Sequence, residues 1–362
     1  MSNLRISYSM ISAVKTRSHP SRWLLSFTCF VLLCALAACG ERHAPIQLSG
    51  QSMGTSWHVT VVPGAATPTA AALQQGIEAE LEAVNRSMST YREDSEISRF
   101  NATGIDQWFE LSPELYTVLS AAMAIGWQSD GAYDVTVGPL VDLWGFGPPG
   151  PVAAAPSDDA VTAVLERVGQ DHLRLEGEGQ RLLKRRPVSL DLSSIAKGYG
   201  VDRVAQWLGS QGVERYLVEV GGEMRLAGLS ARGDPWRIAI ERPESGDRAV
   251  EQAIRLTDVG IATSGDYRNF FEVEGKRYSH SIDPKRGYPV DHDLVSVTVV
   301  HPSSMMADGW ATALVVSGYE KAMAVAQEQG LAVYFIRRQG DAFVESHTPA
   351  FAPYLEQSGA EH

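Results

Sequence analysis

The chain has 362 residues, of which 44% are hydrophobic and 20% charged, with a formal net charge of −12 and three cysteines. All three cysteines precede Gly40, so the rest of the chain excludes disulfides, a thiolate nucleophile and cysteine-ligated metal sites. The acidic balance, without any cluster of Lys and Arg, argues against nucleic acid as a partner.

The first 38 residues have the pattern of a bacterial export signal. Basic residues without acidic ones precede an apolar run of roughly 16 residues, Trp23 to Ala38, which is shorter than the roughly 20 of a membrane span. The run ends in LAACG at Leu36–Gly40, which resembles the lipobox of bacterial lipoproteins. We therefore expect a signal peptide over 1–38 and lipidation, including palmitate, at Cys39. A plain cleavable signal and an uncleaved anchor helix are the alternatives.

Four segments of the chain follow from these boundaries. After the signal we expect a lipidated tether over 39–50, a folded domain over 51–350 and a polar C-terminal tail over 351–362.

Within the domain, hydrophobic alternation predicts a strand at 57–62, and apolar residues three or four apart predict a helix at 70–85. Ser112 before Pro113 predicts a helix from 113 to about 129, and Ser157 opens another that runs to 168. A loop separates these two helices at 145–156. Strands are predicted at 173–183, 188–192, 216–220, 236–240, 253–256, 269–273, 295–300, 331–336 and 342–346, and helices at 194–209, 308–318 and 319–329. This irregular order indicates an α+β fold rather than a doubly wound sheet.

Polar residue types that suit chemistry gather in four clusters. The first, Gly131–Leu140, is equally well explained as a turn followed by a buried strand. In the second, Asp191–Gly200, a strand leads into a helix whose free N–H groups and dipole would face the Asp191 region, with Lys197 one turn inside. This arrangement suits a phosphate but lacks the glycine spacing of a Walker A loop. A capped helix with a solvated Lys197 is the alternative.

The third cluster comprises Ile261–Arg268 and Tyr278–Pro289. Its Asp-Pro-x-x-Gly sequence from Asp283 predicts a tight turn, and His280 adds a group that titrates near neutral pH. The fourth cluster is Met306–Ala313.

In the fourth cluster, Asp308 and Thr312 share one face of a predicted helix, and their oxygens suit a hard cation such as Mg²⁺. The alternative is an N-cap Asp308 with Thr312 bonded back to the i−4 carbonyl.

The last three clusters, in this order, resemble the ApbE family of periplasmic FAD:protein FMN transferases. The resemblance runs from about Ser52 to Gly318. It includes Ser52–Thr55, Met88–Tyr91, Asp94–Ile97, Gly131–Leu140, Asp191–Asp202, Gly221–Gly222, Thr263–Tyr267, His280–Gly287 and Asp308–Thr312. It implies an ApbE-like (T-fold-like) fold of mixed sheets with flanking helices.

The resemblance also implies the functional residues. Contacts to FAD would come from Met53, Tyr91, Ala132, Tyr133, Asp134, Asp191, Lys197 and Ile282. The metal region would comprise Ser194, Asp308, Ala311 and Thr312, with Ala311 contributing only its carbonyl. Glu223 departs from the family pattern, which usually has Asp at this position.

The implied reaction is a phosphoryl transfer in which Mg²⁺ on Asp308 and Thr312 binds the FAD diphosphate and Lys197 adds positive charge. A Thr or Ser hydroxyl of an acceptor flavoprotein subunit, of the kind in Nqr- or Rnf-type membrane redox complexes, would attack the FMN phosphorus and expel AMP. His280 would position or deprotonate that hydroxyl, or would instead bond the turn at Asp283. The expected location is the periplasmic face of the envelope, at the inner rather than the outer membrane.

Two rival functions remain open at this point. One is an FAD pyrophosphatase, in which water replaces the acceptor hydroxyl; an aromatic residue at position 91 is more similar to the transferring members. The other is a lipid-anchored flavin-binding protein without turnover.

Overall fold

The computed structural model describes residues 44–243, 250–265, 270–273 and 276–355. The predicted signal peptide, the lipidation site Cys39 and the start of the predicted tether lie outside these ranges. Within the ranges, no helix combines the length and the hydrophobicity that crossing a membrane requires.

Strands and helices alternate irregularly in the described part of the chain. The strands are β1 (Ile46–Ser52), β2 (Thr55–Val61), β3 (Phe109–Glu110), β4 (Leu173–Glu176), β5 (Arg181–Lys184), β6 (Tyr216–Val220), β7 (Glu223–Ala227), β8 (Trp236–Glu241), β9 (Val250–Leu256), β10 (Gly260–Gly265), β11 (Phe270–Val273), β12 (Lys276–Ser279), β13 (Leu294–His301), β14 (Ala332–Gln339) and β15 (Ala342–His347). The α-helices are α1 (Ala70–Met88), α2 (Glu96–Asn101), α3 (Pro113–Gln128), α4 (Gly138–Leu143), α5 (Asp158–Leu165), α6 (Ala196–Ser210), α7 (Ser304–Ser317) and α8 (Tyr319–Glu328).

One antiparallel sheet of eight strands organises the fold, in the order β1-β2-β6-β7-β10-β13-β14-β15. Three smaller sheets, β3-β5-β4, β8-β9 and β11-β12, are antiparallel as well. The predicted α+β class is confirmed.

Strand β13 lies at the centre of the core and is covered on both faces. Residues 294–300 are all buried, which explains why five of the seven are Leu or Val and only Ser296 and Thr298 are polar. On one face Val297 and Val299 pack with helix α7, whose own residues are buried nearly all round. On the other face Val295 and Val300 pack with the β8-β9 hairpin. Helix α7 is therefore held rigidly against the sheet.

Helices α1 and α6 cover the β1-β2-β6 end of the sheet. Trp57, Val59 and Val61 of β2 point inward, as the predicted alternation requires, and pack against both helices. Thr69 caps α1 through its side chain, and Ser112 caps α3, as predicted. Helices α6 and α7 pack against each other, which brings two of the predicted clusters together.

Both predicted ends of the domain differ from the structure. The second half of the predicted tether forms β1, which pairs with β2 from Ile46 to Ser52. Its Gln and Ser residues are consistent with an edge strand that has one exposed face. The predicted tail begins with Phe351, which is fully buried in a 3₁₀ helix, Pro349–Tyr354. The folded region therefore extends from 46 to at least 355.

Two internal elements also differ from prediction. Residues 188–192 do not form a continuous strand, because the side chain of Asn101 takes both backbone bonds of Leu190: its amide donates to the Leu190 carbonyl and its oxygen accepts the Leu190 N–H. Ser189 makes only an isolated parallel bridge with Val137. Helix α7 starts four residues before Asp308, with Ser303 as its N-cap. The alternative of an N-cap Asp308 is therefore wrong.

Candidate active site

A cavity of about 980 Å³ opens where helices α1, α6 and α7 meet the end of strand β10. Nearly all the predicted flavin and metal residues line it: Met53, Tyr91, Ala132, Tyr133, Asp134, Asp191, Ser194, Lys197, His280, Ile282, Asp308 and Thr312. Ala311 does not, because it is fully buried in the core on helix α7. Asp266–Arg268 of the third cluster lie outside the described residues.

The start of helix α6 forms one wall of the cavity. Its backbone N–H groups are largely used within the protein: those of Ile195 and Ala196 donate to the Leu192 carbonyl, and that of Gly198 donates to Asp308. Three of the N–H groups that the sequence predicts to be free, those of Ile195, Ala196 and Gly198, are therefore already bonded. Helix α6 also lacks a side-chain cap, since Ile195 occupies the N-cap position. The Lys197 side chain adds a positive charge to this wall.

Lys197 is not solvated but paired with Glu223. Its Nζ donates to Glu223 Oε1 at 2.7 Å, and the Glu223 side chain is only 6% exposed. Burial alone lowers the pKa of Lys197, but the carboxylates of Asp308 and Glu223 reverse that effect and raise its pKa above the ordinary value. Lys197 therefore keeps its positive charge.

The two carboxylates beside Lys197 are also perturbed. Burial raises the pKa of Glu223 to about 7, although the Lys197 ammonium opposes this shift. Burial likewise raises the pKa of Asp308, with Lys197 again opposing it. Asp308 Oδ2 accepts the Gly198 N–H at 2.9 Å. Three buried charges thus share one wall of the cavity.

Hydroxyl groups complete the predicted metal region. Thr312 Oγ1 lies 3.1 Å from Ser264 Oγ, which reaches the cavity from the end of β10. Ser194 Oγ donates to the Tyr133 hydroxyl at 2.9 Å, and burial raises the pKa of Tyr133. Asp308 and Thr312 are thus on one face of α7, as the i, i+4 spacing predicts.

The donor set fits Mg²⁺ rather than a metal with several His or carboxylate ligands. No group of three or more His, Cys, Asp or Glu in the described ranges could hold a metal ion. Mg²⁺ commonly takes one or two carboxylates and completes its shell with waters and substrate phosphates. Asp308, the nearby hydroxyls and a diphosphate would provide such a shell. In addition, Glu223 Oε2 is buried without a hydrogen-bond partner on this wall.

The first cluster forms a turn followed by helix α4, not by a buried strand. Pro139 in the first turn of α4 explains the helix. Both carboxylate oxygens of Asp134 accept backbone N–H groups, Oδ1 from Thr136 at 2.8 Å and Oδ2 from Gln170 at 2.9 Å. The carboxylate of Asp134 therefore orders the loop, while Ala132 and Tyr133 line the cavity beside it.

The third cluster forms the predicted turn. The Asp283 carbonyl accepts the Gly287 N–H at 2.8 Å, and Asp283 Oδ1 accepts the N–H groups of Lys285 and Arg286. Gly287 has a φ of +79°, which favours glycine. His280 precedes this turn, lines the cavity and lies with its ring centroid 6.3 Å from that of Phe146.

Tyr91 lies at the exposed rim of the cavity. Its side chain is 70% exposed, and its hydroxyl donates to the Phe146 carbonyl at 3.5 Å. Met53, in the β1-β2 turn, lines the cavity from another side, with a φ of +52°. An aromatic surface is thus available for a planar ring system at the rim.

Two residues of the cavity, Glu223 and Ser264, have no role predicted from the sequence. Glu223 follows Gly221 and Gly222, which both have positive φ and turn the chain from β6 into β7. A glycine pair between two strands predicts a turn, but nothing local indicates that the next residue pairs with Lys197, 26 positions away. Ser264 belongs to the third cluster, and its contact with Thr312 spans 48 positions.

Comparison with known proteins shows the family of this chain. The sequence profile of the ApbE family matches residues 53–335. This chain belongs to the ApbE family. It is 45% identical over 336 residues to the FAD:protein FMN transferase of Vibrio cholerae, covering 92% of this chain and 99% of that protein. The protein of the same name from Escherichia coli is 39% identical over 346 residues, covering 91% and 98%.

Solved structures of ApbE proteins share the fold. The flavin transferase ApbE from Vibrio cholerae superposes with a TM-score of 0.81 at 46% identity, covering 86% of this chain and 99% of that one. The apo form of the Pseudomonas stutzeri flavinyl transferase ApbE gives 0.79 at 40% identity, with 86% and 97% covered. The predicted family, fold and enzyme class, a transferase, are confirmed.

Proposed function

We propose that this chain is an Mg²⁺-dependent FAD:protein FMN transferase that moves FMN from FAD to a Thr or Ser hydroxyl of an acceptor flavoprotein subunit. The observation that supports this most is the convergence of Asp308, Thr312 and Lys197 on one wall of a cavity of about 980 Å³. That volume lies near the upper end of the range for small-molecule sites, which is about 300–1,000 Å³. A dinucleotide with a diphosphate suits both the size and the chemistry of this wall.

Asp308 and Thr312 would hold the metal, with Ser264 fixing the Thr312 hydroxyl. Bound Mg²⁺ supplies charge neutralisation at the diphosphate. The Gly198 N–H occupies Asp308 Oδ2, so it limits the directions in which Oδ1 can point. Lys197 adds a cation that Glu223 holds in place at 2.7 Å.

His280 would act on the acceptor hydroxyl. In the proposed step the hydroxyl oxygen bonds to the FMN phosphorus, the bridging P–O bond of the diphosphate breaks, and AMP leaves with the bonding electron pair. The hydroxyl proton passes to the His280 imidazole, which lines the cavity after β12. The product is a phosphoester between FMN and the acceptor side chain.

The alternative, hydrolysis of FAD to FMN and AMP, needs only water in place of the acceptor. The exposed rim at Tyr91 favours transfer, because the rim leaves an open approach beside Phe146 for a polypeptide. A binder without turnover would release no AMP under any condition, and a pyrophosphatase would release AMP without the acceptor. AMP release measured with and without the acceptor therefore separates the three functions.

The test incubates the full chain with FAD, Mg²⁺ and a flavoprotein subunit that carries the acceptor hydroxyl, and measures covalent flavin and AMP. We expect both products with the wild type, and a loss of at least about 100-fold with Asp308→Asn. Asp130→Asn is the matched control, since Asp130 is exposed and bonds only Lys285 and Lys321 among the described contacts. AMP without covalent flavin would favour the pyrophosphatase. Full activity of Asp308→Asn would contradict the proposed metal site.

We also propose lipidation at Cys39, with the domain on the periplasmic side of the inner membrane and acceptors in Nqr- or Rnf-type redox complexes. The support is the export pattern and the LAACG sequence at Leu36–Gly40. Labelled palmitate should enter the wild type and not Cys39→Ser, whereas Cys34→Ser should be labelled normally. Label in Cys39→Ser would contradict the assignment.

A further inference from the structure

The described walls of the cavity carry more negative than positive charge. Lys197 is the only Lys or Arg among the described residues that line it, against four carboxylates, those of Asp134, Asp191, Glu223 and Asp308. A diphosphate is itself an anion. Without a cation, such a cavity would repel it, because like charges close together in a poorly solvated site interact strongly.

Glu223 is the carboxylate that hydrogen-bonds directly to Lys197, the one Lys or Arg among the described lining residues. Its Oε1 lies 2.7 Å from Lys197 Nζ, and its whole side chain is only 6% exposed. Water therefore screens the pair weakly, and the charge that Lys197 presents to the cavity is largely cancelled. Oε2 of Glu223 is buried without a hydrogen-bond partner among the described residues.

We propose that Glu223 makes binding of FAD conditional on a divalent cation, by cancelling the charge of Lys197. This inference rests on the proposed function and adds the order in which the ligands bind: the metal binds before the diphosphate or together with it. With Glu223 in place, the Lys197–Glu223–Asp308 group has a net charge of one unit negative, and a divalent cation reverses its sign. A neutral residue at position 223 would leave Lys197 free to attract the diphosphate alone.

The experiment measures binding of FAD to the full chain by equilibrium dialysis at about pH 8, where ordinary carboxylates are ionised, with Mg²⁺ and with EDTA. The wild type should bind FAD at least about tenfold more tightly with Mg²⁺. Glu223→Gln should bind FAD in EDTA at least about tenfold more tightly than the wild type does. The ratio of FAD affinities with Mg²⁺ and with EDTA should therefore be smaller in this variant by the same factor. An unchanged ratio in Glu223→Gln would overturn the proposal.

Two matched variants distinguish an effect of the negative charge of Glu223 from an effect of its side-chain shape. Glu223→Asp keeps the carboxylate and should retain the wild-type ratio. Glu219→Gln makes the same chemical change on the neighbouring strand, outside the described cavity lining, where Glu219 accepts from His58 and from the Gly222 N–H. It should also retain the wild-type ratio. If Glu223→Asp loses the ratio as Glu223→Gln does, shape rather than charge is responsible and the proposal fails.

Riboflavin provides a test that does not depend on folding of a variant. It has no phosphate, so its binding to the wild type should be the same with Mg²⁺ and with EDTA. A metal dependence equal to that of FAD would overturn the proposal. Failure of the wild type to bind FAD at all with Mg²⁺ would instead contradict the proposed function.

Discussion

The backbone N–H of Gly198 donates to the Asp308 carboxylate at 2.9 Å, so the first turn of α6 bonds directly to the predicted metal ligand on α7. A Cβ on Gly198 would lie 2.7 Å from the Cβ of Asp308 and closer still to the Ser304 carbonyl oxygen. The two helices therefore approach to a distance that only glycine allows. The position of Asp308 depends on this contact as much as on its own helix.

Gly198→Ala should separate the two helices. Because backbone atoms of α7 cannot move aside cheaply, we expect a loss of about 1–3 kcal/mol in the free energy of unfolding. FAD binding in Mg²⁺ should weaken as well, since Asp308 shifts. Gly209→Ala in the same helix is the control: nothing lies within 4 Å of its added Cβ, so it should be neutral or stabilising by up to about 1 kcal/mol. Urea denaturation measures both, and equal effects would contradict the interpretation.

Replacing His280 with Ala distinguishes a base from a structural group. If His280 accepts the acceptor proton, the rate of FMN transfer should fall by at least about 100-fold while FAD affinity stays nearly constant. Added imidazole should restore part of the rate, since it can enter the vacated space beside Phe146. A lower melting temperature and weaker FAD binding, without rescue, would show that His280 only supports the turn at Asp283.

The buried carboxylates should make the metal-free protein less stable as pH rises. The pKa of Glu223 is raised to about 7 in the folded state, so the folded protein binds a proton more tightly than the unfolded chain. The contribution of Glu223 to the free energy of unfolding is therefore present at low pH and is lost as pH rises through about 7. Asp308 acts in the same direction, and Lys197 stays protonated throughout.

In EDTA, the wild type should therefore lose about 1–3 kcal/mol more unfolding free energy than Glu223→Gln between pH 5 and pH 8. Comparison with the variant removes the contributions of the titrating groups that do not interact with Glu223. If the unfolding free energies of the two proteins change in parallel with pH, the raised pKa of Glu223 is contradicted.

Phe351 tests where the folded region ends. It is fully buried, with Tyr334 and Tyr354 as ring neighbours at 5.4 and 6.0 Å. Phe351→Ala should cost about 3–5 kcal/mol of unfolding free energy, measured by urea denaturation. Phe343→Ala, at a partly exposed position of β15, should cost clearly less. A negligible effect of Phe351→Ala would mean that this segment is the polar tail that the sequence predicts.

Local signals in the sequence were sufficient where one segment determines its own structure. Ser112 with Pro113 marks the start of α3, and alternation identifies β2. The i, i+4 spacing of Asp308 and Thr312 placed both on the cavity wall even though the predicted start of α7 was wrong.

Long-range contacts could not be predicted in this way. The polar strand β1 exists because β2 supplies its hydrogen-bond partners, and residues 188–192 lose a strand to the side chain of Asn101. The Lys197–Glu223 pair likewise joins a helix to a strand across a turn, so its effect on the cavity charge appears only in three dimensions.

If Cys39 carries the proposed lipid, the early start of β1 would limit how far the folded domain can reach from the bilayer. With Cys39 as the lipidated residue, only residues 40–45 would lie between the bilayer surface and strand β1. A fully extended segment of this length spans roughly 20–25 Å. The same strand leads directly to Met53 on the cavity wall. Under the proposed lipidation, flavin delivery would be confined to a thin layer above the membrane, and the height of an acceptor hydroxyl over the bilayer would become a criterion for selecting it.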